Sequence, residues 1–103
     1  MKRIEVSPAA EAEMIGAFEW YWMQSESAAL GFDAEVRAAL VALRQTPQVS
    51  LPYLLGTRRM LLKRYPFFVV FRESPPTIQI IAVAHMKRRP GYWKNRAESP
   101  STP

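Results

Sequence analysis

The sequence predicts an α+β domain in which a helical hairpin packs on one face of an antiparallel sheet. Apolar residues recur with helical spacing over the first half of the chain, and with a period of two after it. The length of 103 residues suits a single domain, and a hydrophobic content of 49% argues against a disordered chain. We therefore expect one domain over residues 1–96 and a disordered tail over residues 97–103.

The first half of the chain predicts one short strand and two helices. Residues 2–6 alternate between apolar and polar side chains, which is typical of a strand. Ser7 followed by Pro8 is a strong helix start, and this first helix is expected to end near Gln24. A break at residues 25–27 then supplies a new N-cap. The second helix, which ends near Gln45, completes the hairpin.

Both predicted helices carry apolar residues on more than one face. The expected core face of the first helix consists of Met14, Ile15, Phe18, Tyr21 and Trp22, and that of the second of Phe32, Val36, Ala39, Leu40 and Leu43. The apolar residues that remain on other faces are Trp20, Met23, Leu30, Ala34, Ala38 and Val41. A helix with two apolar faces is either enclosed by the domain or keeps one face for a partner. In a domain this small, a partner is the favoured interpretation.

The second half of the chain predicts a three-stranded antiparallel meander. A loop over residues 46–57 precedes it. The strands are expected at residues 58–65, 67–72 and 77–85, with turns at residues 65–66 and 74–76. The last strand is almost continuously apolar, which indicates a strand that is covered on both faces.

Composition excludes several kinds of site. The absence of cysteine excludes disulfides, thiolate nucleophiles and cysteine-based metal centres. His85 is the only histidine, and it has neither an acidic cluster at ligand spacing nor a Gly-x-Ser-x-Gly partner motif, so we predict no metal and no cofactor. The start of the chain does not resemble a signal peptide, and no apolar run is long enough to span a membrane. We therefore expect a soluble, cytoplasmic protein.

Charge is distributed unequally along the chain. Residues 1–43 contain three basic and seven acidic side chains, a net charge of −4, whereas residues 44–103 contain eleven basic and two acidic ones, a net charge of +9. This division indicates either an ordinary basic surface or a partner that is a polyanion or an acidic protein segment. The candidate contacts to a target protein or nucleic acid are Arg58, Arg59, Lys63, Arg64, Lys87, Arg88, Arg89, Tyr92, Trp93, Lys94 and Arg96.

The same basic and aromatic residues also permit metal-free RNA cleavage, provided that the first and last strands of the meander bring them together. That reaction needs a proton acceptor, a cation that stabilises the phosphorane and a proton donor. His85 or Tyr92 can transfer protons, and Arg88 can supply the charge. The alternative is structural: His85 closes a strand, Trp93 belongs to a small core, and the arginines keep the protein soluble.

Several segments resemble the RelE/ParE superfamily of bacterial toxins. Residues 56–62 (GTRRMLL) and 65–71 (YPFFVVF) resemble its central hairpin, and residues 82–93 (AVAHMKRRPGYW) resemble its closing segment. The helical hairpin that ends at residues 43–47 (LRQTP) also has the shape of the family. The resemblance extends over residues 2–96. It implies the toxin of a type II toxin–antitoxin pair, a plasmid stabilisation type of protein.

The resemblance also implies that a cognate antitoxin neutralises the chain by folding a disordered C-terminal segment over it. An acidic segment of this kind would mask the basic half of the chain. The helices offer apolar docking positions for it. The predicted antitoxin contacts are Trp20, Met23, Leu30, Ala34, Ala38 and Val41.

The superfamily divides by target. ParE-like members inhibit DNA gyrase without being nucleases, whereas RelE-like members cleave messenger RNA in the ribosome. Arg59 matches one cationic position of RelE-like toxins, but Leu61 and Phe68 stand at two others. This departure favours a ParE-like inhibitor that is not an enzyme. The alternatives are a ribosome-dependent endoribonuclease and a non-toxic binding module. The endoribonuclease would use Arg59, Lys63, His85, Arg88 and Tyr92.

Overall fold

A helical hairpin and a five-stranded sheet make up the computed structural model, which describes residues 2–46 and 50–98. The elements are, in chain order, β1 (Arg3–Val6), α1 (Pro8–Gln24), α2 (Glu26–Gln45), β2 (Leu51–Pro52), a 3-10 turn (Leu54–Gly56), β3 (Arg58–Leu61), β4 (Phe67–Ser74), β5 (Thr77–His85) and α3 (Lys94–Glu98). The predicted α+β class is confirmed, as is the predicted order of an N-terminal strand, a helical hairpin and a meander.

The sheet has the strand order β1-β5-β4-β3-β2. Strands β3, β4 and β5 form the predicted antiparallel meander, in which Met60 lies opposite Val69 and Val69 opposite Val83. Two features were not predicted. Strand β1 pairs with β5 in parallel. Strand β2, which lies inside the segment that was expected to be a loop, pairs with β3 in antiparallel orientation. Residues 47–49 of that segment lie outside the described residues.

Side-chain caps begin both long helices where the sequence places them. The Ser7 hydroxyl accepts a hydrogen bond from the backbone N–H of Ala10 at 3.1 Å, and the Ser25 hydroxyl accepts one from Ala28 at 3.2 Å. Each bond satisfies one of the backbone donors that the first turn of a helix leaves unpaired. Because a cap involves only neighbouring residues, these boundaries are predictable from the sequence.

The first core lies between the helical hairpin and one face of the sheet. Its buried members are Ala10, Phe32, Val36, Ala39, Leu43, Leu62, Phe67, Val69, Phe71, Ile78, Ile80 and Val83. The predicted core stripe of α2 is confirmed. On α1 the prediction is wrong for Ile15 and Trp22, which are 52% and 47% exposed. Helix α1 is apolar on almost every side, so periodicity alone cannot select the face that turns toward the sheet.

A second core covers the opposite face of the sheet. It consists of Phe68, Val70, Ile81, Ala82, Ala84 and Trp93, with Tyr53 and Tyr92 packed against it. Trp93 is only 1% exposed, and its ring centroid lies 5.8 Å from that of Tyr53. The centre of the sheet is therefore covered on both faces, which explains the continuous apolar run of β5.

Helix α3 follows Trp93 and extends the folded chain beyond the predicted domain boundary. It ends at Glu98, two residues into the segment 97–103 that was predicted to be a tail. The other residues of that segment lie outside the described residues. The sequence did not predict this helix.

Gly31 is required by a close approach between α2 and the turn that joins β3 to β4. A Cβ atom at this position would overlap the hydroxyl of Tyr65. That hydroxyl donates a hydrogen bond to the carbonyl of Ala28 at 2.8 Å, and the Tyr65 ring packs on Phe32. A glycine inside a helix costs about 1 kcal/mol relative to alanine. Here it makes room for an aromatic contact with the first core.

Candidate functional site

The β3–β4 turn and the loop after β5 meet at one end of the sheet. The backbone N–H of Met86 donates to the carbonyl of Pro66 at 2.9 Å, which joins the two segments. We call their cationic surface the basic end. Its exposed cations are Lys63, Arg64, Lys87, Arg88 and Arg89. The structure thus brings together five of the predicted target contacts from two distant parts of the sequence.

Glu35 of α2 holds the β3–β4 turn at the basic end. One of its carboxylate oxygens accepts from the backbone N–H groups of Lys63 and Arg64 at 3.0 and 3.2 Å, and the other accepts from the Arg64 guanidinium at 2.6 Å. Burial opposes ionisation of Glu35, but the hydrogen bonds and the charge of Arg64 outweigh it and lower the pKa of the carboxyl group. Arg64 is therefore compensated, whereas the Lys63 ammonium has no ion pair within the described residues.

The sheet separates two of the predicted catalytic residues. His85 lies opposite Phe67 and packs edge-on against it, on the face that the helices cover. Arg59 lies opposite Val70, with its guanidinium 4.5 Å from the centre of the Tyr53 ring, on the face of the second core. Two groups on opposite faces of a sheet cannot act on the same bond. The structure therefore does not bring Arg59 and His85, two of the five predicted endoribonuclease residues, into one site.

A hydrogen-bonded cluster binds the C-terminal segment to α1. The Glu13 carboxylate accepts from the Tyr92 hydroxyl at 2.6 Å, from two Arg96 nitrogens at 3.1 Å each and from the backbone N–H of Val83 at 2.9 Å. Burial raises the pKa of Tyr92 well above the ordinary value of tyrosine. The hydrogen bond to Glu13 and the negative charge of Glu13 act in the same direction. We call this group the Glu13 cluster. The sequence analysis missed Glu13 because its partners lie far away in the chain.

Several of the predicted target contacts take part in contacts within the chain. Arg58 donates to the hydroxyl and the carbonyl of Ser50 at 2.8 and 2.7 Å, and Arg96 belongs to the Glu13 cluster. The prediction that Trp93 contacts a partner is wrong, because the second core buries this side chain. Arg88 is exposed, and its guanidinium stacks 3.7 Å from the centre of the Tyr92 ring. Lys94 is exposed at the start of α3.

The predicted antitoxin contacts are all exposed, but they lie on more than one surface. Trp20 and Met23 of α1 are 60% and 81% exposed. Trp20 lies beside His85, whereas Ala38 of α2 lines a groove against β3. The exposed residues of α2 that belong to the same prediction are Leu30, Ala34 and Val41. A partner that contacts all of these residues must wrap around the helical hairpin.

A groove with a volume of about 620 Å³ lies between α2 and the edge of the sheet. Its lining residues are Glu35, Ala38, Ala39, Ala42, Ser50, Leu51, Arg59, Met60, Leu61, Leu62 and Lys63. Small and apolar side chains dominate this lining, and two cations border it. The Nε atom of Arg59 is buried and has no hydrogen-bond partner among the described residues. We call this surface the α2–β3 groove.

The described residues contain neither a membrane helix nor a metal site. None of their helices is long and apolar enough to cross a membrane. No group of three or more histidine, aspartate or glutamate residues among them could hold a metal ion.

Comparison with known proteins identifies the family. The family model described as the ParE toxin of type II toxin–antitoxin systems, parDE, matches residues 4–90. The chain belongs to the ParE toxin family. This assignment confirms the resemblance that the hairpin and the closing segment indicated. The family model ends its match at residue 90. Tyr92, Trp93 and Arg96 of this ParE-family chain therefore lie outside the matched region.

A solved structure confirms the ParE-like fold. A chain of the chromosomal ParDE TA system from P. aeruginosa is 21% identical in sequence and superimposes with a TM-score of 0.74. The match covers 84% of the present chain and 98% of that chain. No curated protein matches the sequence.

Proposed function

We propose that this ParE-family toxin inhibits DNA gyrase by binding to it, and that an antitoxin with an acidic segment neutralises it in the bacterial cytoplasm. The observation that carries the choice of gyrase over RNA cleavage is the separation of His85 from Arg59 by the sheet. General acid–base catalysis needs its groups within hydrogen-bond reach of one reacting centre. The present arrangement supports a binding function for the basic end.

Two further observations support binding rather than catalysis. Phe68, at a position that is cationic in RelE-like toxins, is buried in the second core, and Leu61 places an apolar side chain at another such position. The Tyr92 hydroxyl donates to Glu13, and its pKa is raised. A hydroxyl that is already bound to a carboxylate is not available to an incoming RNA.

A gyrase assay tests the proposal directly. Purified toxin is added to gyrase, ATP and relaxed plasmid, and we expect loss of supercoiling together with linear plasmid after denaturation. A parallel cell-free translation reaction maps the 5′ ends of the messenger RNA. Ribosome-dependent cuts in the messenger RNA, with normal supercoiling, would contradict the proposal and favour the endoribonuclease.

The Tyr92→Phe variant separates the two mechanisms with a minimal change. It keeps the ring on which Arg88 stacks and removes the hydroxyl that an endoribonuclease would need. We expect this variant to inhibit gyrase as strongly as the natural protein, once circular dichroism has shown that it is folded. Loss of inhibition in a folded Tyr92→Phe variant would argue against a purely binding role.

The α2–β3 groove is the surface on which we expect the acidic antitoxin segment to bind. Its floor is apolar, so it favours apolar side chains of a partner. The Lys63 ammonium borders the groove and has no ion pair within the described residues. A carboxylate of the segment could pair with Lys63, and opposite charge would speed the association.

Co-expression with the cognate antitoxin tests this surface. Ala38→Glu places a carboxylate in the groove and is expected to weaken the complex by at least about tenfold. The matched control is Ala12→Glu, an exposed alanine of α1 that does not line the groove. Equal binding by both variants would show that the antitoxin docks elsewhere.

Expression of the chain alone distinguishes an active toxin from a non-toxic binding module. We expect growth arrest with a DNA-damage response, relieved by co-expression of the antitoxin. Normal growth at a high level of folded protein would favour the binding module.

A further inference from the structure

A small aromatic cavity lies beside the basic end, between α1 and the end of β5. Its volume is about 240 Å³, and its lining residues are Ala17, Trp20, Tyr21, Phe67 and His85. Ordinary small-molecule pockets measure roughly 300–1,000 Å³. This cavity therefore suits a single flat ring system rather than a larger ligand.

Trp20 forms the exposed wall of the cavity. Its side chain is 60% exposed, although its ring meets the Tyr21 ring edge-on at 5.2 Å. Trp93, by contrast, is buried in the second core. An exposed indole next to an open cavity offers a flat surface on which another aromatic ring can stack.

His85 adds a fixed polar group to the same cavity. Its Nδ1 atom accepts a hydrogen bond from the backbone N–H of Lys87 at 3.0 Å. Because Nδ1 is the acceptor, the neutral ring carries its proton on Nε2. No described residue accepts that proton, so it is available to a ligand. The same bond holds Lys87 next to the cavity.

The basic end supplies positive charge that the described residues do not neutralise. The side chains of Lys63, Lys87 and Arg89 make no ion pair within the described part of the chain. The two carboxylates that contact these segments, Glu13 and Glu35, are each paired with an arginine. A cationic surface beside an aromatic stacking platform is typical of proteins that bind single-stranded nucleic acid.

We propose that the aromatic cavity and the basic end together bind single-stranded DNA. One unstacked base lies against Trp20 and His85, and the neighbouring phosphates contact Lys87 and Lys63. A duplex keeps its bases stacked in its interior, so it contacts the cations but leaves the cavity empty. The choice of DNA over RNA rests on the proposed function, because gyrase cleaves and reseals DNA. The inference goes further by giving the toxin a DNA contact of its own.

Fluorescence anisotropy tests the proposal with labelled single-stranded DNA of about ten nucleotides. The comparison ligands are the duplex and the RNA of the same sequence, each titrated between about 50 and 200 mM salt. We expect single-stranded DNA to bind more tightly than the duplex. Affinity for both should fall as the salt concentration rises.

Exchanges at two exposed tryptophans locate the stacking surface. Trp20→Ala is expected to weaken binding of single-stranded DNA roughly tenfold and to leave duplex binding unchanged. Trp20→Phe keeps a ring and is expected to restore most of the affinity. The matched control is Trp22→Ala, since Trp22 is also exposed but stacks on Phe18 at a different face of α1. It should bind like the natural protein.

Charge exchanges locate the phosphates. Lys87→Gln is expected to reduce the slope of log affinity against log salt by about 0.7, the value for one phosphate contact to a single strand. The control is Arg3→Gln, since Arg3 lies opposite Thr77, at the end of β5 away from His85. It should not change the slope.

Three results would overturn the inference: equal affinity for duplex and single strand, tighter binding of RNA than of DNA, or equal losses in the Trp20→Ala and Trp22→Ala variants. The gyrase assay separates this inference from the proposed function. Gyrase inhibition without oligonucleotide binding overturns the DNA site alone. Oligonucleotide binding without gyrase inhibition overturns the choice of target alone.

Discussion

The two faces of the sheet are covered in different ways. Helices α1 and α2, which are neighbours in the sequence, cover one face with regularly spaced apolar residues. Individual aromatic residues from separate segments, Tyr53, Tyr92 and Trp93, cover the other face. The comparison teaches that periodicity reveals a core built by long helices, but it does not reveal one that is assembled from single side chains in loops.

The same division bears on function. His85 and Trp20 lie on the helix-covered side, whereas Arg59 and Phe68 lie on the side of the second core. The sheet separates these residues. The cations of the β3–β4 turn and of the loop after β5 meet only at the basic end. Variants that weaken one face at a time test how far the two sides are independent.

The largest expected effect is the loss of the second core in Trp93→Ala. Removing this buried indole is expected to lower the free energy of unfolding by about 3–5 kcal/mol, as for a large aromatic residue in an ordinary core. Urea denaturation followed by circular dichroism measures it. Trp22→Ala, at a half-exposed site that stacks on Phe18, should cost less, about 0.5–1.5 kcal/mol. A loss below about 1 kcal/mol in Trp93→Ala would show that the second face contributes little to stability.

An intermediate effect is expected when the Glu13 cluster is broken. Glu13→Ala leaves the partly buried donors of Tyr92, Arg96 and Val83 without their acceptor, and the free energy of unfolding should fall by about 1–3 kcal/mol. Tyr92→Phe removes one hydrogen bond and should cost about 1 kcal/mol. If both variants match the natural protein in urea denaturation, the cluster does not stabilise the C-terminal segment.

The cluster also predicts a dependence on alkaline pH. Because the folded state raises the pKa of Tyr92, it retains the hydroxyl proton more strongly than the unfolded state does. The associated stability is present below about pH 10, the ordinary pKa of tyrosine, and is lost as the pH rises above it. In the Tyr92→Phe variant, the free energy of unfolding should therefore fall less between about pH 10 and more alkaline pH than in the natural protein. The raised pKa of Tyr21 contributes equally to both proteins.

The smallest effect is expected at Glu35. Glu35→Gln weakens the hydrogen bonds to the β3–β4 turn and should cost about 1 kcal/mol at neutral pH. Because folding lowers the pKa of Glu35, its contribution is present above about pH 4.3 and is lost as the pH falls below that value. Unfolding at pH 7 and at pH 3 therefore provides the measurement. An equal difference between variant and natural protein at both pH values would contradict this account, and exposed Glu19→Gln is the control.

Local signals account for the parts of the fold that the sequence predicted correctly. The caps at Ser7 and Ser25 and the turn at residues 65–66 depend only on neighbouring residues, so the starts of α1, α2 and β4 were predictable. The strand ends were not: β3 ends at Leu61 rather than at residue 65, and β4 continues to Ser74 rather than ending at residue 72. The position of β1 was not. Its partner is β5, at the other end of the chain, and no local pattern encodes a pairing over that distance.

The candidate site was predictable in its residue types but not in its arrangement. The sequence identified the cations of the basic end and the unusual exposed Trp20. It could not show that His85 and Arg59 lie on opposite faces, because that depends on the pairing of β3, β4 and β5. Nor could it identify Glu13. In the sequence this residue does not differ from the other acidic residues of α1, and only the folded C-terminal segment gives it hydrogen-bond partners.

The sequence by itself determined the ParE family, the α+β class, the helix starts and the division of charge between the two halves. Each of these depends on residues that are close together in the chain or on composition. Only the tertiary structure decided which side of α1 is buried, which strand receives β1, and where Trp93 and Glu13 find their partners. Those outcomes depend on contacts between distant residues, whose free energy appears only when the sheet and the helices have come together.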